Sequence, residues 1–138
     1  MGACYSVTLA VKTKQPDELV KYLNEQADAD EATGRTSYRR DEFRNTETLQ
    51  DYFKCLLAED QDNGYEESAE DNWLTASSCF YASYGWAQVL EDNFRRMLSF
   101  CEKGELHVYM FEDGKYDLYI SNGKIITSKP AWLKKGEY

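Results

Sequence analysis

The chain has 138 residues, 42% hydrophobic and 14% aromatic, with 25 acidic and 16 basic side chains and a formal net charge of -9. That length suits one globular domain, residues 1–138, burying roughly 68% of the surface its unfolded form exposes, and the apolar content excludes a disordered acidic tail. The charge argues against direct contact with nucleic acid or an anionic membrane, and no apolar run approaches the roughly 18 residues of a membrane span.

Residues 3–12 alternate, with Tyr5, Val7, Leu9 and Val11 on one face and Cys4, Ser6, Thr8 and Ala10 on the other, as in a half-buried strand. Pro16 holds the favoured first position of a helix, with Asp17 and Glu18 at the positive end of its dipole and a stripe of Leu19, Val20, Tyr22 and Leu23. Residues 27–45 are polar, contain Gly34, and read as loop. A second helix over about 46–59, capped by Asn45 or Thr46, repeats Leu49, Tyr52, Phe53, Leu56 and Leu57 at helical spacing.

An acidic loop around Asn63-Gly64 follows, then a strand from Trp73 to Ala82. The third helix begins at Tyr84 or Gly85, carries Trp86, Val89, Leu90, Phe94, Met97, Leu98 and Cys101, and ends at Gly104. Asp113-Gly114 and Asn122-Gly123 predict two tight hairpins. With two-residue turns Glu112 opposes Lys115, Tyr109 opposes Leu118, Ile120 opposes Ile125 and Tyr119 opposes Ile126. His107, Tyr109, Phe111, Tyr116, Leu118, Ile120 and Ile125 then share the core face. The order β-α-α-β-α-β-β-β indicates an α+β fold, a mainly antiparallel sheet with a C-terminal three-stranded meander and helices on one face.

Charge is distributed unevenly along this order. No basic side chain occurs between Lys54 and Arg95, a stretch that holds Glu59, Asp60, Asp62, Glu66, Glu67, Glu70, Asp71, Glu91 and Asp92. The rest of the chain has equal numbers of acids and bases, so the whole net charge belongs to this stretch. Such density repels itself unless water, a cation or a basic partner screens it. Tyr65, Tyr81, Tyr84, Tyr119 and Tyr138 lie near turns, strand ends or the second sheet face. Tyrosines bordering carboxylates suit a protein interface.

Other motifs point elsewhere with less force. Cys4, Cys55, Cys79 and Cys101 lack any CxxC spacing and sit in apolar-periodic contexts, as reduced core thiols of a cytoplasmic protein do. No secretory signal pattern is visible, and Met-Gly-Ala-Cys-Tyr-Ser fits the myristoylation pattern but reads better as the start of a strand. Counting Gly64 as the sixth position of a calcium loop puts Glu59, Gln61, Asn63 and Glu70 at ligand positions, yet Glu and Gln stand in the first two of them and a strand follows. His107, the single histidine, is expected to be a satisfied core or sheet-edge residue rather than the partner of a nucleophilic Cys79 or Cys101. Arg35, Arg39, Arg40 and Arg44, with Asp41 and Glu42 among them, read as a self-compensating loop or a dock for the acidic segment. No catalytic or zinc-ligand motif occurs, so the expectation is a protein that is not an enzyme and needs no cofactor or metal.

In size, acidity, tyrosine content and the segment 59–71, the chain resembles the small acidic inhibitors encoded by phages and mobile elements. These include anti-CRISPR and anti-restriction proteins, several of which mimic nucleic acid. The resemblance implies a stoichiometric inhibitor docking on a basic protein, a nuclease or similar nucleic-acid enzyme. Glu59, Asp60, Asp62, Glu66, Glu67, Glu70 and Asp71 would be phosphate surrogates, with Tyr65 and Trp73 as anchors. An immunity protein for a basic toxin would use the same physics. A divalent-cation or small-ligand module and a lipid-anchored adaptor are the remaining classes.

Overall fold

The alternation that opens the chain forms the inner strand of an antiparallel sheet. In a computed structural model, which describes residues 2–34, 46–61, 64–111 and 114–133, β1 (Gly2–Lys12) is followed by α1 (Pro16–Thr33), α2 (Leu49–Leu56), β2 (Glu66–Glu70), β3 (Trp73–Ser83), α3 (Trp86–Arg96), β4 (Lys103–Met110), β5 (Gly114–Ser121) and β6 (Lys124–Ile126). The six strands lie in the order β2-β3-β1-β4-β5-β6, every pair antiparallel. This is the α+β architecture the periodicities predict, with one addition. The acidic segment, expected as a loop, holds a 3₁₀ turn at Glu59–Gln61 and the edge strand β2.

That strand forms because Asp71 and Asn72 make the sharp turn into β3, both with positive φ (53° and 68°). Short polar side chains tolerate this left-handed conformation, and two such residues in succession match the twist of a hairpin. Residues 27–33, read as loop, continue α1 instead; the three alanines Ala27, Ala29 and Ala32 favour helix, Asp30 pairs with Arg96 at 2.8 Å, and Gly34 (φ 67°) ends it. The cap of α2 is Thr48, not Asn45 or Thr46. Its hydroxyl accepts from the Asp51 N–H at 3.1 Å while the Asp51 carboxylate accepts from the Thr48 N–H at 3.2 Å. The arginine cluster Arg35–Arg44, Asp62, and Tyr138 lie outside the described residues.

All three helices cover one face of the sheet. Tyr5, Val7, Leu9 and Val11 of β1 meet Leu74, Ala76 and Phe80 of β3, Leu106 and Val108 of β4, and Leu118 and Ile120 of β5 beneath Leu19, Leu23, Tyr52, Phe53, Leu90 and Phe94. Each such side chain contributes about 1.5–3 kcal/mol on burial. The second hairpin has the predicted register, Ile120 opposite Ile125 and Tyr119 opposite Ile126. The first does not: Leu106 opposes Leu118 and Tyr109 opposes Lys115, while Glu112 and Asp113 lie outside the described residues. An odd shift turns β4 over. Leu106 and Val108 therefore face the core, while His107 and Tyr109 occupy the other face.

Polar pins fix helices to sheet. The last carbonyls of a helix have no intrahelical donor, and at the end of α2 those of Leu56 and Leu57 accept from Trp86 Nε1 at 2.9 Å and Ser78 Oγ at 2.6 Å. Buried Tyr52 donates its hydroxyl to Asn93 Oδ1 at 2.8 Å, joining α2 to α3. No helix among the described residues is long and apolar enough to cross a membrane.

Gly104, expected as the cap of α3, instead lies inside β4. A Cβ there would stand 3.1 Å from Ile120 Cδ1 and 3.3 Å from Phe94 Cε1. Gly104→Ala is expected to cost about 1–3 kcal/mol by overpacking, read as a lower urea midpoint at unchanged slope.

Candidate interaction surface

Because the helices lie on one side, the other side of the sheet is built from residues that water tolerates. Its middle strand carries the small side chains Cys4, Ser6, Thr8 and Ala10. On β3 these face Tyr81, Cys79, Ser77 and Thr75; on β4, Ser6, Thr8 and Ala10 face Tyr109, His107 and Glu105. A shallow trough results, bordered at one end by aromatic rings. Tyr81 is 70% exposed, Tyr109 47%, and Phe111, just beyond β4, 62%. Alternation alone places Tyr109 and Phe111 on the core face; the turned-over strand puts them in solvent.

The opposite end is closed by the chain after β6. Trp132 packs on Trp73 with ring centroids 5.8 Å apart, donates Nε1–H to Ser121 Oγ at 3.1 Å, and receives the Lys103 ammonium 5.4 Å from its ring centre. Around that contact Ala10, Glu105 and Tyr119 are buried although they sit on the face without helices.

Between the two ends His107 is clamped. Its Nε2 lies 2.7 Å from Glu105 Oε1 and its Nδ1 2.6 Å from Asp117 Oδ1, with the Tyr119 ring packed edge-on 5.6 Å away. The bond to fully buried Glu105 raises the imidazole above its usual 6.5, burial opposes this, and Asp117 adds to the rise. As an imidazolium it donates from both nitrogens, which suits a charge clamp and leaves no lone pair for a base. The dyad considered from sequence is not assembled. Cys79 stands across β1 opposite Ser6, and the Cys101 thiol hydrogen-bonds Thr13 with burial pushing it up to about 12. The four cysteines form no disulfide; Cys79 is exposed and the others are half-buried, with Cys55 and Cys101 packed against the core.

The acidic residues fall into two sets. Glu66 and Glu70, opposite Ser77 and Trp73, project on the same side as the trough, with Asp71 in the turn beyond. Glu67 projects to the helix side, 3.8 Å from Lys54 Nζ. Glu59 and Asp60 are held at the aromatic end, because the next residue, Gln61, pairs its side-chain amide with the Tyr81 backbone, accepting at 3.0 Å and donating at 2.8 Å. Among the described residues no cation pairs with Glu59, Asp60, Glu66, Glu70 or Asp71.

Of the two expected anchors, Trp73 lies in this surface and Tyr65 does not. Tyr65 packs against the core, its buried hydroxyl has no hydrogen-bond partner among the described residues, and burial followed by Glu67, Glu59 and Asp51 raises its pKa. The surface adds Tyr109 and Phe111, which periodicity placed on the core face, and Lys103 and Trp132, which it did not single out. The alternation Leu106, Val108, Met110 was the signal for the first pair, obscured by the equally apolar Tyr109 and Phe111.

Removing His107 leaves Glu105 buried beside Asp117, so His107→Ala is expected to cost about 3 kcal/mol. Since the folded-state imidazole pKa is raised, its stabilisation is complete below the unfolded value near 6.5 and disappears as pH rises through the folded value. Denaturation midpoints should therefore fall between slightly acidic and alkaline pH in the parent, and His107→Gln should remove that component of the slope. No family model, curated protein or solved structure matches this chain.

Proposed function

We propose that this chain is a non-enzymatic interaction module that docks its open sheet face and acidic edge on a cationic surface of a partner protein. The observation that carries this reading is the set of carboxylates without a countercharge among the described residues, fixed along one edge, with Glu59 and Asp60 at the Tyr81 end, Glu66 along β2, and Glu70 and Asp71 at the Trp73 end. Carboxylates on a mobile tail would lose ordering entropy on binding; on a hydrogen-bonded strand and turn they are already placed. Aromatic rings supply buried contact area at low entropic cost, while the surrounding charge steers encounter and sets partner choice.

The partner chemistry that fits is a groove lined by lysine and arginine, as in a nucleic-acid enzyme of the cytoplasm. There the edge carboxylates stand in for phosphates and the chain acts as a stoichiometric inhibitor, in keeping with its likeness to small acidic phage and mobile-element inhibitors. Charge on an edge strand also prevents edge-to-edge sheet growth. That role needs a charge on the edge but no adjoining aromatic patch.

The test is capture from nuclease-treated lysate by the parent and by a Glu66→Lys, Glu70→Lys, Asp71→Asn variant, the asparagine chosen to keep the positive-φ turn. Exposed changes of this kind should alter stability by no more than about 0.5 kcal/mol. The parent should retain a basic nucleic-acid enzyme, release it as salt rises from about 50 to 200 mM, and titrate out its nucleic-acid binding at one-to-one stoichiometry; the variant should retain nothing. Identical partner lists for the two proteins, or loss of binding only through unfolding, would overturn the reading.

A further inference from the structure

We infer that the cleft between the β2–β3 turn and Trp132 is a binding site for one arginine side chain. This deepens the docking reading above, on which it rests, by assigning the anchor. The cleft has a volume of about 320 Å³. It is lined by Trp73 and Trp132, whose rings meet at a tilt of 46°, by Glu70 and Asp71, by Ser68 and Thr75, paired across β2 and β3, and by Lys103.

Three observations select a planar cation. First, the lining carries two carboxylates against one ammonium, Lys103, and neither carboxylate is in ion-pair contact with any described residue. Second, the face of Trp132 already attracts a cation, since Lys103 Nζ sits over it at 5.4 Å. The Trp132 face thus works as a cation acceptor here, and the internal lysine holds it without reaching Glu70 or Asp71. Third, the lining places indole rings in the same cleft as carboxylate and hydroxyl oxygens. A guanidinium satisfies both, stacking on an indole while its fork donates to carboxylate, whereas an ammonium has no plane to stack. Within a basic partner an arginine presented to the acidic edge would enter beside Trp73, with the hydroxyls of Ser68 and Thr75 as further acceptors.

The chain contains its own control. Of its three tryptophans, Trp73 and Trp132 line the cleft and Trp86 donates Nε1–H to the Leu56 carbonyl in the core. The experiment follows the three indole N–H resonances of the full chain in ¹H–¹⁵N spectra during titration with N-acetyl-arginine N-methylamide. The citrulline analogue, equal in shape and uncharged, is titrated alongside. Saturable shifts are expected at Trp73 and Trp132 with Trp86 unmoved, and the citrulline probe should bind at least about tenfold more weakly. Glu70→Gln with Asp71→Asn should weaken the arginine probe by about tenfold. Lys103→Met should tighten it by roughly threefold, because a like charge is removed from the lining.

Equal response to the two probes, no shift at the two surface indoles, or weakening by Lys103→Met would overturn the assignment, the last in favour of an anionic or neutral ligand. The site and the docking reading also fail separately. A captured partner that the edge variant loses but millimolar arginine amide does not displace would remove the site and leave docking standing. Probe binding without any captured partner would leave the site and remove docking.

Discussion

Three helices can cover one face of a six-stranded sheet, and that limit organises the rest of the molecule. The covered face is filled by the apolar alternation of β1, β3, β4 and β5, and it supplies most of the stability. The other face has to be compatible with water, which is why β1 carries cysteine, serine, threonine and alanine there. Where larger groups appear on that face they are either exposed, as Tyr81 and Tyr109 are, or tied down, as Glu105 is by His107. Under the proposed docking, partner-facing chemistry is thereby confined to one side and one edge.

The helix layer depends on a few directional contacts rather than on shape alone. α2 has eight residues, too few to be stable as an isolated helix, so tertiary partners must finish its ends. Thr48 and Asp51 close its start, while Ser78 from the sheet and Trp86 from α3 take its last carbonyls. A short helix held in this way stacks reproducibly on β3, and the turn that follows it delivers Gln61 to the backbone of Tyr81. Placement of Glu59 and Asp60 is therefore coupled to packing in the core.

Much of this architecture could be read in advance, and the failures have physical causes. Strong periodicity located β1, β3 and all three helices, and Asn122-Gly123 set the last hairpin correctly. Asp113-Gly114 suggested an equally tight turn, but Met110 pairs with Gly114, a register three residues away from the expected one, and that odd shift reverses β4. Both faces of β4 are apolar enough that composition could not decide between them. β2 was invisible because an edge strand of glutamates has low strand propensity and no buried face; it exists through its turn and its partner. Of the proposed contact residues, the acidic cluster and Trp73 were legible from charge density and position. Trp132 and Lys103 were not, since their proximity to Trp73 is purely tertiary.

The pairing of β1 bears on how the chain reaches this state. Its neighbours are β3, with Gly2 opposite Ser83 and Lys12 opposite Trp73, and β4, with Tyr5 opposite Met110. β1 therefore emerges from the ribosome before either strand it must join, and its apolar side waits until residues 73–110 have followed. The β2–β3 and β5–β6 hairpins close locally and fast, whereas inserting β1 between β3 and β4 requires distant closure and is expected to set the folding rate. Until that insertion the strand is an open, aggregation-competent edge. Alternating it with serine, threonine and cysteine rather than with further aliphatics reduces that hazard during synthesis.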